Sequence, residues 1–264
     1  MCVIGSLAEL ERYYDAVPRS AARVEEVGPF SVFVGTGAWP YYARPRLGFD
    51  GEVAVADIEA VRERQRSLGV PEAFEWVHET TPALRDVVRA AGLEVLEAPL
   101  MVLDRSVWRA PEPPSGVTLR VLDADDGALA AARAVQNVGF GAAGTAAGPE
   151  GFSERDASTD EDGLDFTRER LRRGVSVMVV AEGEYGPAAT GMHQPVDGVT
   201  EVVGVATLPA VRRQGLGGAV TGALVEDALT RGVETVFLSA GSEEIARVYA
   251  RLGFKRIATA CIVG

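Results

Sequence analysis

Between Val203 and Gly217 the chain reads VGVATLPAVRRQGLG. An apolar run from Val203 to Thr207 breaks at Pro209, turns through Arg212-x-x-Gly215-x-Gly217, and enters a helical pattern from Gly218 to Thr230. A strand, a glycine turn and a helix N-terminus in that order make an anion cradle. The turn N–H groups point outward, the glycines let a ligand approach the backbone, and the helix end carries partial positive charge. The group that suits such a cradle is a phosphate or pyrophosphate. Two competing phosphate motifs fit less well. No Gly-Lys-Ser/Thr follows the turn, as a Walker loop requires. A dinucleotide site wants G-x-G-x-x-G and an acidic residue about 20 positions on; here the glycine order differs and the next strand, Thr235 to Leu238, ends without a carboxylate. His78, His193, Cys2 and Cys261 offer no metal-ligand spacing or disulfide framework, so no metal is expected.

The elements around the turn follow from periodicity. Val199 to Thr207 is a strand ahead of the cradle, and the helix from Gly218 to Arg231 ends at Gly232. Thr235 to Leu238 is a strand, Ser242 to Leu252 a helix, and Phe254 to Ile262 a final strand pair. Upstream, Val117 to Leu122 is a strand, Asp125 or Asp126 caps a helix through Val135, and Phe166 to Arg173 is a short helix. Ser176 to Ala181 and Ala188 to Gln194 form a hairpin. Gly139 to Gly163 has no period and reads as a long loop, either an acidic lid (Glu154, Asp156, Asp160, Glu161, Asp162) or a solvated insertion. Nearer the N-terminus, Ser6 opens a helix that Pro18 ends, and Phe30 to Val34 is a strand, with a second possible at Trp39 to Ala43. Asp57 caps a helix that Gly69 closes, Phe74 to Val77 is a strand, Thr80-Thr81-Pro82 opens a helix ending at Gly92, and Leu93 to Leu103 is extended.

The Pro-rich stretch 111–116 separates a lobe at 1–110 from a domain at 117–264. The halves share a pattern: shifted by 161 residues, Phe74-Glu75-Trp76-Val77 falls on Thr235-Val236-Phe237-Leu238, Leu84 on Ile245 and Gly92 on Gly253. The same shift puts Gly51 to Ala56, with no glycine pair, opposite Arg212 to Gly217, and Val88 opposite Tyr249. The first half therefore reads as a degenerate copy without its own cradle. The formal net charge of −12 argues against nucleic-acid and anionic-membrane partners and suits a cationic substrate. Neither a signal peptide nor a membrane span is legible, so the expectation is a soluble cytoplasmic protein, and the Ala, Arg and Gly usage suggests a bacterial source.

The apolar strand, Pro209, Arg212-x-x-Gly215-x-Gly217 and helix, followed by a strand and a helix ending Tyr249-Ala250-Arg251-Leu252-Gly253-Phe254, resemble the GNAT acyltransferase superfamily. The resemblance covers Val117 to Gly264. It implies an α/β (α+β) fold, with a mixed central sheet flanked by helices and a smaller GNAT-like N-terminal lobe. It also implies an acetyl-CoA-dependent N-acetyltransferase acting on a small-molecule or peptide amine, and it allows a homodimer. The alternative class is a catalytically silent acyl-CoA-binding or regulatory protein.

By that resemblance the amides of Arg213, Gln214, Gly215, Leu216, Gly217 and Gly218, next to Arg212, hold the pyrophosphate. Val205, Ala206 and Thr207 pair with the pantetheine arm like an added strand, and an amide there polarises the thioester carbonyl. The usual residue at the Thr207 position is aliphatic. Tyr249 takes the place of a phenol that protonates the leaving thiolate, unless it is a core tyrosine beside Ile245 and Val248. Glu201, eleven positions before Arg212, matches the catalytic glutamate of the histone-acetylating branch, unless it is an exposed strand-start carboxylate. By simple alternation residues 201, 203, 205 and 207 share one face of the strand. His193 is the runner-up base because its side chain titrates near neutrality; His78 ranks lower. Many family members have an asparagine near the start of the last helix; here Ser242 stands there, as a hydroxyl contact or a cap.

Overall fold

The computed structural model describes residues 6–37, 41–142 and 144–264. In chain order the first elements are α1 (Leu7–Arg19), β1 (Ala22–Val27), β2 (Phe30–Gly35), β3 (Ala43–Pro45), α2 (Val55–Leu68), β4 (Phe74–Val77), α3 (Leu84–Ala90) and β5 (Leu96–Leu103). Then come β6 (Thr118–Val121), α4 (Leu129–Gly141), α5 (Phe152–Ala157), α6 (Leu164–Arg172), β7 (Val177–Gly183), β8 (Gly186–Val196) and β9 (Val199–Thr207). A 3-10 turn (Pro209–Val211) leads to α7 (Leu216–Thr230), β10 (Thr235–Ser239), α8 (Glu243–Arg251) and β11 (Phe254–Val263). Among the described residues no helix is long and apolar enough to cross a membrane.

The chain divides into two compact units. Of the described residues, one holds Val102–Leu238 and Ser242–Lys255; the other holds 6–101 with Ser239–Gly241 and Arg256–Gly264. This departs from the expected boundaries of 1–110 and 117–264. Most of β11 belongs to the N-terminal unit because its ladder partner is there: Ala260 to Val263 pair antiparallel with Val77 to Phe74 of β4. β11 is also one continuous strand rather than the expected pair. The proline-rich stretch is no free linker. Pro111 lies so close to α7 that a Cβ on Gly222 would come within 2.6 Å of it.

In the N-terminal unit β1–β2 and β2–β3 are antiparallel and β3–β4 parallel. Phe30, Ile58, Phe74, Trp76, Leu84 and Val88 form its core with α2 and α3. Ser6 caps α1 by accepting from the Glu9 amide at 3.2 Å. Pro18 lies inside the last turn of α1 instead of ending it. Proline has no N–H to offer the Tyr14 carbonyl, and the Tyr42 hydroxyl donates to that carbonyl instead, at 3.1 Å. Asp57 sits three residues into the start of α2, accepting from the Ala54 amide at 2.8 Å, rather than at the cap position itself. The edge strand β1 was not legible as a strand: Arg23, Glu25 and Glu26 interrupt its alternation, as edge charges do. Trp39 and Pro40, part of the possible second strand, lie outside the described residues. Fully buried Arg44 pairs with Glu11 and stacks over the Tyr14 ring at 5.2 Å. The parallel register brings Glu75 alongside Arg44. Burial pushes the Glu75 carboxyl up to about 7, against the opposing pull of Arg44.

The internal repeat reappears as matching elements. A shift of 161 carries Val55–Leu68 onto 216–229, within α7, and Leu84–Ala90 onto 245–251, within α8.

In the other unit the strand order is β10-β9-β8-β7-β6, antiparallel except for the β9–β10 pair. That parallel pair needs a crossover, and α7 supplies it. Leu122, Leu129, Ala132, Leu164, Met178 and Met192 form the core on the α4 side. α4 starts later and runs further than expected. Asp126 accepts from the Ala128 amide at 2.8 Å ahead of the first turn, and the helix continues to Gly141. The expected loop at 139–163 contains α5, too short to show a period. Its acidic residues are tied locally: Glu154 accepts from the Gly151 amide at 2.7 Å, Asp156 pairs with Arg155, and Glu161 with Arg168.

Candidate active site

The site is built on β9. Its ladder with β8 pairs Gln194 with Glu201, His193 with Val202, and Met192 with Val203, then jumps to Thr190 with Ala206 and Ala189 with Thr207. One extra residue on β9 is a β-bulge, and it reverses which face the following side chains take. Gly204 at the bulge has φ +63, and a Cβ there would stand 2.6 Å from the Gln136 side-chain nitrogen. That nitrogen donates to the Gly204 carbonyl at 2.9 Å, fastening α4 to the bulge. The expected single row of 201, 203, 205 and 207 is therefore broken. Glu201, Val203 and Ala206 face the α4 side, and Val202 and Thr207 face the α7 side. Val205 packs there too, beside Val220 and Leu224.

The parallel ladder between β9 and β10 starts at Thr235 with Val199, and its last rung is Phe237 with Glu201. Beyond it β9 runs on to Thr207 along the wall of a cavity of about 460 Å³. The other walls are the turn after β9, the first turn of α7, one face of α8 and the segment after α4. In the turn, Arg213 adopts φ +67 and Gly215 φ +86, and α7 begins at Leu216. The first N–H groups of a helix have no intrahelical acceptor, so this end of the cavity offers donors.

α8 contributes Ile245, Val248 and Tyr249 to the cavity. Ser242 caps the helix, accepting from the Ile245 amide at 3.2 Å. The Tyr249 ring meets Phe254 edge-to-face at 6.0 Å. Burial pushes its phenol up to about 12, so it stays protonated throughout the neutral range.

Of the residues singled out in the sequence, the cavity brings together Val205, Ala206, Thr207, Arg212, Arg213, Gly215, Leu216, Gly217, Gly218 and Tyr249. Gln214 and Glu201 are not among its lining; Gln214 is exposed and Glu201 half-buried at the last β9–β10 rung. His193 is fully buried elsewhere. Its Nδ1 lies 2.9 Å from the Thr200 hydroxyl and its Nε2 2.9 Å from Asp227, which also pairs with Arg231. Burial lowers its pKa more than Asp227 raises it. This is a structural histidine tying β8 to β9 and α7, not a base in the cavity. His78 lies in the N-terminal unit.

Sequence reasoning missed Gly139, Phe140, Ala142, Gly144 and Thr145, which line the cavity from the last turn of α4 and the segment after it. Their segment has no period or motif, and it reaches the site through contacts with residues some 70 positions away. Arg212 donates to the carbonyls of Gly139, Ala142, Gly144 and Ala146, and Thr145 donates to Glu244 of α8.

The bulged end of β9, the turn after it and the first turn of α7 thus share one cavity with α8. Residues 145–254 match the family model described as "Acetyltransferase (GNAT) family". Among solved structures the chain is similar to a GCN5-related N-acetyltransferase from Kribbella flavida. The two are 24% identical with a TM-score of 0.73, covering 99% of this chain and 96% of that one. A tandem GNAT protein from the clavulanic acid biosynthesis pathway is 15% identical with a TM-score of 0.57, covering 89% of this chain and 77% of that one. A GCN5-related N-acetyltransferase from Sphaerobacter thermophilus is 20% identical with a TM-score of 0.52, over 79% and 64% of the two chains. At these identities the likeness concerns the fold alone. No curated protein sequence matches the chain significantly.

Proposed function

We propose that the chain is an acetyl-CoA-dependent N-acetyltransferase that moves an acyl group directly from CoA to a primary amine of a small molecule or peptide. The observation that carries this reading is one cavity shared by the end of β9, the donor-lined turn and the Tyr249 phenol. The amides of Arg213 to Gly218 hold the pyrophosphate, with the partial positive charge of the α7 N-terminus behind them. Val205 to Thr207 lie along the pantetheine arm, and a strand amide there polarises the thioester carbonyl.

The amine nitrogen attacks the thioester carbon, the C–S bond breaks, the nitrogen releases its second proton to solvent, and the thiolate takes the proton of Tyr249. The phenolate left on Tyr249 is reprotonated from solvent. The attacking ammonium first loses a proton, because an amine of reference pKa near 8 to 10 is mostly protonated at neutrality. Glu201 is the group we assign to receive it. Its rung with Gln194 lies on the α4 side of β9, the face Val203 and Ala206 share, and that is the side from which we have it address the amine. A water bridges Glu201 to the amine where direct contact is out of reach.

Thiol release from acetyl-CoA, followed across a panel of polyamines, amino sugars, amino acids and short peptides, tests this reading. Turnover of at least one amine with intersecting initial-velocity lines is the expected result. Saturable acetyl-CoA binding with no turnover of any amine would make the chain a silent acyl-CoA-binding protein.

A further inference from the structure

Arg212 is the motif residue whose charge invites a direct phosphate contact, yet its guanidinium is already fully engaged. Nε donates to the Thr207 carbonyl at 3.3 Å, Nη1 to Gly144 and Ala146 at 3.1 and 3.2 Å, and Nη2 to Gly139 and Ala142 at 2.7 and 2.9 Å. A guanidinium has five N–H groups, and five backbone carbonyls receive them. None of the acceptors is a carboxylate.

Three features give this arrangement a purpose. First, Gly139 and Ala142 lie at the C-terminal end of α4, where a helix leaves its last carbonyls without partners. The last turn of α4 has no basic residue of its own. Arg212 supplies that cation from 70 positions along the chain, and a cation at a helix C-terminus is favoured by the dipole. Second, the same fork continues onto Gly144 and Ala146, so it holds the segment that leaves the helix. Third, Phe140 in the last turn of α4 and Ala142, Gly144 and Thr145 after it line the cavity, and the fifth bond returns to Thr207 at the end of β9.

We infer that Arg212 is a positioning residue: its side chain fixes the segment after α4 as a wall of the cofactor cavity and does not itself ligate phosphate. The inference rests on the proposed acyl-CoA site for its consequence but not for its geometry, which exists without ligand. Lysine keeps the charge but loses the planar fork, so the two roles separate cleanly.

Hydrogen exchange of ligand-free protein is the test, with Arg212→Lys and Arg212→Gln compared against wild type. Both variants are expected to speed exchange in 139–142 and 144–146 by about tenfold or more, the loss of roughly one charge-assisted hydrogen bond. Exchange in α7 and β8 should be unchanged. Both should raise the KM for acetyl-CoA by similar factors and leave kcat within about threefold. Unchanged exchange in the segment, with Arg212→Lys binding acetyl-CoA like wild type and Arg212→Gln not, would overturn the assignment in favour of a direct phosphate contact. Should a variant fail to fold, NMR of the wild-type guanidinium decides: restricted rotation and slow exchange of the Arg212 N–H protons in free protein are expected, and a freely rotating group overturns the inference. Absence of acetyl-CoA binding by wild type would sink the proposed function and leave the exchange result standing.

Discussion

Replacing Gly204 by alanine strikes the feature that decides which side chains β9 presents. The native residue has φ +63, and an added Cβ would lie 2.6 Å from the Gln136 side-chain nitrogen. Left-handed backbone costs a non-glycine residue roughly 1–2 kcal/mol. Displacing the Gln136 amide from the Gly204 carbonyl loses a hydrogen bond worth about 1 kcal/mol. The sum, roughly 2–3 kcal/mol, corresponds to a fall of about 5–10 °C in the melting temperature of a unit this size. If β9 instead straightens to relieve the strain, the bulge is lost. A one-residue slip then turns Val205, Ala206 and Thr207 to the wrong faces, and acetyl-CoA binding falls with the stability. Differential scanning calorimetry and acetyl-CoA titration measure the two consequences on the same sample. A Gly204→Ala protein that melts within about 1 °C of wild type and binds acetyl-CoA equally well would refute the claim that this bulge shapes the site.

Further outcomes are expected at Tyr249, Glu201 and Glu75. Tyr249→Phe should lower kcat by about 100-fold, within the usual range for a general acid, with little change in acetyl-CoA affinity. Because the phenol is held near 12, the wild-type rate should show no falling limb between pH 7 and 10; a limb near 9 that disappears in Tyr249→Phe would contradict the assignment. Glu201→Gln should depress the neutral-pH rate and recover as pH approaches the amine's own pKa, and equal profiles for the two proteins would remove Glu201 from the mechanism. Glu75 binds its proton more tightly in the folded state, up to about 7 from an ordinary 4.5. Its contribution to stability is therefore full below about pH 4.5 and is lost as pH rises through 7. Glu75→Gln should flatten that decline and stabilise the protein at pH 8, as read by denaturant unfolding; an unchanged pH profile would show that Glu75 titrates normally.

The turn was legible because its information is local. Pro209, Arg212, Gly215 and Gly217 set backbone conformation within nine residues, and the helix after them follows from its own composition. Tyr249 was legible for the same reason, as part of a short helix ending in Gly253-Phe254. The bulge was not. Whether β9 carries one extra residue depends on β8 and on Gln136, and alternation alone aligned Glu201 with Thr207, residues the bulge puts on opposite faces. His193 looked like a possible base until Thr200 and Asp227 were seen to occupy both ring nitrogens. The segment after α4 carries no pattern of its own, since Arg212 holds it through backbone carbonyls that any sequence would supply. The destination of β11 was equally hidden, because strand pairing with β4 is decided some 180 residues away.

A structure of the chain with bound CoA tests the central claim most directly. The account predicts the pyrophosphate on the amides of Arg213 to Gly218, the pantetheine arm along Val205 to Thr207, and the sulfur within about 3.5 Å of the Tyr249 hydroxyl. A cofactor bound elsewhere, or a sulfur remote from Tyr249, would contradict it.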